Sequence, residues 1–279
     1  MSTTQFIAAS TRVKGYLMQA LSTFLGRVSR RLERLRLGLD PKQYNERQFW
    51  KEEIDQIVAW YRGERVELYG VPAPRDRAPH SADVRKDAIL AWFRAVVLEH
   101  GRYLRQLMLP ADYFEGKTIA DIGCGPMGSP LVFTGCQIYG VDPLSDIYRG
   151  LGYPLDQYAS RMQYLSAQAE SIPLPDASLD AVISCNAIDH VDDFAATARE
   201  IARVLKPGGI LRMEVHYHAS TTCEPWQLSD ELMTEHYGRL GMRKLLSRSL
   251  KEAYPNVATK NELVAVWGTT DLLYRPDAR

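Results

Sequence analysis

From Leu17 onward the apolar residues fall at Leu17, Leu21, Phe24, Leu25, Val28, Leu32, Leu35 and Leu39. At a helical turn of about 100° per residue they project into one sector roughly 100° wide, which predicts an amphipathic helix. Arg27, Arg30, Arg31 and Arg34 lie beside or opposite that stripe, with Glu33 as the only acid nearby. Asp40-Pro41 ends this helix, because proline lacks the amide donor and disfavours helix in the residue before it. Gln43 to Arg62 gives a second helical pattern, rich in aromatics. The prolines of YGVPAPRDRAPH, Tyr69 to His80, mark a loop. Ser81 can cap a third helix, which runs from about Ala82 to Leu109 and stops at Pro110.

The period changes after Gly116. Lys117 to Ile122 (KTIADI) reads as a short apolar strand that ends in a glycine loop, and Gln137 to Val141 (QIYGV) as a second that ends at Asp142. Tyr164 and Leu165 lie in a third, Asp180 to Cys185 (DAVISC) is a fourth, and Phe194 to Leu205 is helical. The turn at Lys206-Pro-Gly-Gly leads into a fifth strand, Ile210 to Val215. Met242 to Leu250 and Leu263 to Trp267 complete the set, joined by a loop from Lys251 to Asn261. Alternating buried strands and helices with short connections predict an α/β fold with a doubly wound, mostly parallel sheet of about seven strands. Three parts are expected: a basic amphipathic arm over 1–40, a helical cap over 41–115, and the sheet domain over 116–279.

Composition narrows the function classes. Hydrophobic residues make up 46% and charged residues 24%, ordinary for a globular chain. Lysine plus arginine equals aspartate plus glutamate at 34 each, so no overall field attracts nucleic acid. The four cysteines, Cys124, Cys136, Cys185 and Cys223, show no C-x-x-C pairing, which argues against a zinc or disulfide framework and for a reducing, cytoplasmic setting. Neither a membrane-length apolar run nor a signal peptide is read. The basic helix at residues 17–39 is the local exception. It can pack its stripe on the body of the protein or self-associate, the reading preferred here, or rest on an anionic membrane surface.

The stretch IADIGCGPMGSP contains Gly123-x-Gly125-x-x-Gly128, the spacing of a dinucleotide fingerprint. Gly123 and Gly125 allow a tight turn and close approach of a ligand, and Pro126 suits the opening of a helix. The third glycine is read as incidental. Asp121, at the strand end, decides the charge of the ligand. A carboxylate there repels a pyrophosphate and attracts an ammonium or sulfonium, and S-adenosylmethionine carries both. Asp142 at the end of the second strand can accept from both hydroxyls of an adenosine ribose.

Taken together, VDP after the second strand, AESIPLPDASLDAV into the fourth and LKPGGIL before the fifth resemble the class I methyltransferases, near the ubiquinone/menaquinone-methyltransferase-like branch, over roughly Gly116 to Gly268. The resemblance implies a Rossmann-like sheet and S-adenosylmethionine as cofactor. It implies that Asp121, Gly123 and Gly125 line the methionine part, that Asp142 holds the ribose, and that Gln168 and Ala169 meet the adenine, with Cys124 and Pro143 also at the cofactor. The family often has an acid where Gln168 stands; a glutamine carbonyl still accepts from the adenine amino group. The first 115 residues fall outside the resemblance.

Candidates for handling the acceptor lie after strands four and five, in CNAIDHVDDF and MEVHYHAST. Asn186 is expected to face the cofactor. His190 is a candidate general base, with packing on the cofactor as the plainer reading. His216 and His218, one residue apart, share a face in extended chain and are expected near Asp189 and His190. A metal cluster there is the alternative to their acting as bases, but H-x-H without further ligand spacing is weak, and no metal is expected. Trp226, Trp50, Trp60 and Tyr69 can wall an acceptor ring or serve as core. The expected activity is O-methylation of a small-molecule or glycan hydroxyl, lipid-linked if the basic helix meets a membrane. The competing readings are a nicotinamide oxidoreductase using the glycine loop and a non-catalytic binding module. A nucleic-acid methyltransferase is disfavoured by the charge balance and by CNAI in place of N-P-P-Y or D-P-P-Y.

Overall fold

The computed structural model describes residues 23–75, 82–249 and 262–269, the last of these and Ser249 as backbone only. Leu17, Leu21, Ser81 and the loop 251–261 lie outside them. Contacts within the chain divide it into two compact units, 1–48 and 49–279, so residues 49–115 belong to the unit that holds the sheet.

In the first unit, helix α1 covers 23–37. Gly38, at φ 67°, ends it two residues before the expected stop at Asp40-Pro41. Of its stripe, Phe24, Leu25, Val28, Leu32 and Leu35 are exposed, and Leu39, past the end of the helix, is half-buried. Helix α2 (Pro41–Arg62) starts on the proline itself, with Asp40 accepting from the Gln43 amide at 2.8 Å.

The second unit begins within α2. The Trp60 indole donates to the Val71 carbonyl at 3.0 Å, which ties α2 to a hairpin of β1 (Glu67–Leu68) and β2 (Val71–Pro72) inside the stretch expected to be loop. The long helix expected over 82–109 is broken. Asp83 caps α3 (Val84–Trp92) by accepting from the Arg85 and Lys86 amides. The chain then widens into a π-helix over Phe93–Glu99, and Gly101, at φ 54°, separates it from α4 (Arg102–Leu107).

The strands are β3 (Thr118–Ile122), β4 (Gln137–Val141), β5 (Met162–Leu165), β6 (Leu179–Cys185), β7 (Leu205–His216), β8 (Met242–Ser249) and β9 (Glu262–Thr269). Their order is β5-β4-β3-β6-β7-β9-β8. The first five are parallel, and β9 pairs antiparallel with both β7 and β8. The parallel sheet thus has five strands, and the last two extend it with opposite direction. Helices α5 (Ser145–Leu151) and α6 (Phe194–Val204) connect strands, and α7 (Asp230–Arg239) precedes β8. The β3–β6 neighbourhood is where strand order reverses, and ligands of doubly wound sheets bind beyond the carboxyl ends of strands at that point. Pro126 opens no α-helix: residues 125–128 form turns, and Ser129–Val132 is a short 3-10 segment.

Parallel strands buried on both faces read as continuous apolar runs, and Ile119, Ala120, Ile122, Val182 and Ile183 are buried. Asp121 is the exception inside that run, completely buried. On β7, Arg212, Glu214 and His216 alternate with core residues and so share one face. Helix α4 covers it: Arg212 donates to the Leu107 carbonyl at 2.6 Å and the Met108 carbonyl at 3.3 Å, and Gln106 donates to Glu214 at 3.3 Å. The guanidinium thereby satisfies carbonyls that the end of α4 leaves without helical partners.

Candidate active site

The site is built at the ends of β3, β4, β6 and β7. Gly123, at φ 68°, turns the chain off β3, and a Cβ there would lie 2.3 Å from the Ala187 Cβ. Gly125, at φ 56°, faces the Trp50 ring, which a Cβ would meet at 3.1 Å. Gly128 is not incidental: at φ 61°, its Cβ would meet the Leu131 side chain at 2.9 Å. The loop is therefore closed by close packing at all three glycines.

Two buried carboxylates flank this loop. Asp121 Oδ2 accepts from the Tyr103 hydroxyl of α4 at 3.0 Å, while Oδ1 is buried without a hydrogen-bond partner. Burial raises its pKa well above the carboxylate range. The Tyr103 hydrogen bond opposes that rise, and the charge of Asp142 adds to it. Asp142 accepts from the Gly125 amide at 3.0 Å through Oδ2 and from the Leu144 amide at 2.9 Å through Oδ1. Burial pushes it up to about 6 despite those two bonds. A carboxylate offers about four lone-pair sites, so Asp142 can still accept from a ribose hydroxyl beside these donors. Cys124 between the glycines is buried, and burial pushes its thiol up.

The remaining cofactor candidates sit nearby in the chain's path. Pro143 and Gln168 are exposed and Ala169 is buried, just beyond β4 and β5. Asn186 follows β6 at φ 48°, its amide donates to the Glu214 carbonyl at 3.0 Å, and its Oδ1 is buried with no partner.

The histidines divide into two groups. His216, at the end of β7, has Nε2 2.6 Å from Glu214 Oε1, and Glu214 is buried at 1% exposure. His218, past the strand, turns away to Asp189, its Nε2 3.0 Å from Oδ2. The Ala219 carbonyl, then Asp189 and Glu224, raise the His218 pKa. His190 lies 3.7 Å from Glu224 and 4.0 Å from Asp189. The expected pairing of His216 with His218 is therefore not formed, because strand geometry ends at His216.

Of the aromatics, Trp60 is core and Tyr69 is exposed, with its hydroxyl on Glu53 at 3.0 Å. Trp226 packs on Phe194, ring centres 5.9 Å apart. Trp50 stands edge-on to Tyr148 and Tyr153 over the glycine loop. Tyr103 and Glu224 escaped sequence reasoning and carry no local signal; Trp50, a candidate for the acceptor wall, instead packs on the glycine loop. Glu214 carried one: an acid inside a buried strand, two residues before a histidine.

Residues 120–213 match a family described as a methyltransferase domain. The chain carries a class I methyltransferase domain. That domain resembles a sterol 24-C-methyltransferase of Pneumocystis carinii, 32% identical over 124 residues, which are 42% of this chain and 32% of that protein. It also resembles a ubiquinone biosynthesis O-methyltransferase of Methylobacterium sp., 28% identical over 124 residues, 43% of this chain and 48% of that protein. A solved S-adenosylmethionine-dependent methyltransferase of Mesorhizobium loti aligns at 18% identity and a TM-score of 0.48, covering 59% of this chain and 95% of the other. The methyltransferase domain spans about a third to a half of the length of these two curated relatives. No helix among the described residues is long and apolar enough to cross a membrane.

Proposed function

We propose that this chain transfers the methyl group of S-adenosylmethionine to a hydroxyl of a small-molecule or glycan acceptor. The observation that carries the reading is the pair of buried acceptors with no partner, Asp121 Oδ1 and Asn186 Oδ1, at adjoining strand ends beside a glycine loop. Orphaned acceptors suit a cation with N–H donors and disfavour a pyrophosphate. The glycine loop also feeds turns rather than a helix N-terminus, so the device that holds a dinucleotide pyrophosphate is missing between β3 and β4. Both points favour a methyltransferase over the nicotinamide oxidoreductase. The intact carboxylates and close-packed glycines favour it over a non-catalytic module.

When bound, the sulfonium cofactor supplies the activated methyl group. Asp121 and Asn186 accept from its ammonium, Asp142 with Pro143 orients the ribose, and Gln168 and Ala169 meet the adenine. The acceptor oxygen bonds to the methyl carbon as the carbon–sulfur bond breaks and its electron pair stays on sulfur. The hydroxyl proton goes to His216, where Glu214 stabilises the imidazolium formed. His190 and His218 are the other bases within this reading. In it, 1–40 is an arm, 41–115 the cap that selects the acceptor, and 116–279 the cofactor domain. The exposed stripe of α1 and the lipid names of the two relatives support a lipid-linked acceptor at the cytoplasmic face of a membrane.

Calorimetric titration with S-adenosylhomocysteine and, separately, NADH tests the cofactor. Binding of the first alone, lost by about tenfold or more in Asp121→Asn, is expected for a lost charge-assisted contact. NADH binding, or unaltered affinity in the variant, overturns the reading. Glu214→Gln is expected to lower the methyl-transfer rate by about tenfold or more while leaving that affinity intact.

A further inference from the structure

A second cluster lies beyond β6 and β7, apart from the buried carboxylates of the glycine loop. Asp189, in the short turn Ile188–His190, His218 and Glu224 bring one ligand atom each to within 4.8 Å of one another. Asp189 is 1% exposed; its Oδ2 faces His218 Nε2 at 3.0 Å, and its Oδ1 is buried without a hydrogen-bond partner. His218 Nδ1 lies 2.7 Å from the Ala219 carbonyl. A carbonyl can only accept, so Nδ1 carries the hydrogen and the Nε2 lone pair of the neutral ring points at the carboxylates. Glu224 is fixed in the same sense. The Thr221 hydroxyl donates to its Oε2 at 2.8 Å, and Oε1 turns toward His218 at 3.8 Å and His190 at 3.7 Å.

We infer that Asp189, His218 and Glu224 form a binding site for a divalent transition-metal ion, with His190 beside its open side. One acceptor from the turn after β6 and two from the loop after β7 converge on one point, with His190 Nε2 at its rim, 3.7 Å from Glu224 Oε1 and 4.0 Å from Asp189 Oδ1. Metal–ligand bonds of about 2.0–2.1 Å in a tetrahedron place ligand atoms about 3.3 Å apart; His218 Nε2 lies 3.0 Å from Asp189 and 3.8 Å from Glu224, and the three ligand atoms stay within 4.8 Å of one another, so a small inward shift closes the set. One imidazole with two carboxylates suits zinc, manganese, iron or cobalt. The outer contacts are those of a metal site: the imidazole gives its other N–H to a backbone carbonyl, and a hydroxyl holds one carboxylate. Three protein ligands leave a position for a substrate oxygen, the pattern of catalytic rather than structural ions. What the ion does there rests on the proposed methyl transfer: an acceptor hydroxyl entering the open position is held and made more acidic. The binding itself does not rest on that reading.

The test is titration of the full chain, stripped with a chelator, with zinc chloride by calorimetry and cobalt chloride by visible absorption. One equivalent of zinc is expected, and cobalt should give the intense visible bands of a four- or five-coordinate ion. Asp189→Asn and His218→Gln should each weaken binding by about a hundredfold or more. Glu224→Gln, in a half-exposed loop, keeps the test informative should a buried substitution unfold the protein; it is expected to keep the wild-type circular dichroism and still lose affinity. Absence of stoichiometric binding, or affinity unchanged in Glu224→Gln, overturns the inference. S-adenosylhomocysteine titrated into the same preparation separates the two readings, since zinc bound without it refutes the cofactor assignment alone.

Discussion

Asp142 offers a quantitative check on the cofactor loop. Its carboxyl is raised from 3.8 to about 6 by burial, which corresponds to about 3 kcal/mol of preference for the neutral form in the folded chain. Because the folded pKa lies above the unfolded one, the folded state holds this proton more tightly. The associated stability is present below about pH 4 and lost as the pH rises through about 6. Ribose hydroxyls reverse the balance, since donors favour the ionised carboxylate. Affinity for S-adenosylhomocysteine is therefore expected to rise about tenfold between about pH 5 and pH 7, then level off, as the ionised fraction grows from about a tenth to about nine-tenths. Asp121 is raised in the same direction and steepens the wild-type profile. The diagnostic quantity is thus the difference between wild type and Asp142→Asn, measured by calorimetry in buffers of different ionisation enthalpy. In the wild type, binding should release protons below about pH 6; in the variant this contribution should vanish. Equal pH slopes in the two proteins would refute the burial argument, and a flat wild-type profile would remove Asp142 from the ribose contact altogether.

Two stability predictions come from the elements around the site. Gly123→Ala combines a left-handed backbone with a Cβ 2.3 Å from that of Ala187, and should cost about 2–4 kcal/mol in urea unfolding; a loss below about 1 kcal/mol would mean that the β3 and β6 ends part easily. Arg212→Leu leaves the Leu107 and Met108 carbonyls without their donor and should cost about 2–4 kcal/mol, with hydrogen exchange in α4 accelerating first; uniform exchange would place the loss in the sheet instead.

The strands were legible because buried parallel strands announce themselves as short apolar runs: β4 matches its expected span, and β3 and β6 each differ at one end by a single residue. Two-residue strands leave no period to detect, so the β1–β2 hairpin was read as loop. Gly101 sits inside a good helical pattern, and only its positive φ reveals the break. The expected helix after the glycine loop fails for a local reason: Gly125 and Gly128 both take left-handed conformations, which a helix cannot accommodate. Asp121 and Asp142 were visible from charge at strand ends. The separation of His216 from His218 was not, since it depends on where β7 ends, at His216.

Tyr103 and Trp50 have a consequence for how such a chain can diversify. Both belong to the helical segment before the sheet, yet one donates to Asp121 Oδ2 and the other packs on Gly125. Exchanging that segment for another, as an evolutionary shuffle or a laboratory graft, would strip a donor and a packing surface from the glycine loop and its buried carboxylate at the same stroke. A change of acceptor would disturb the loop least through point changes that spare those two side chains.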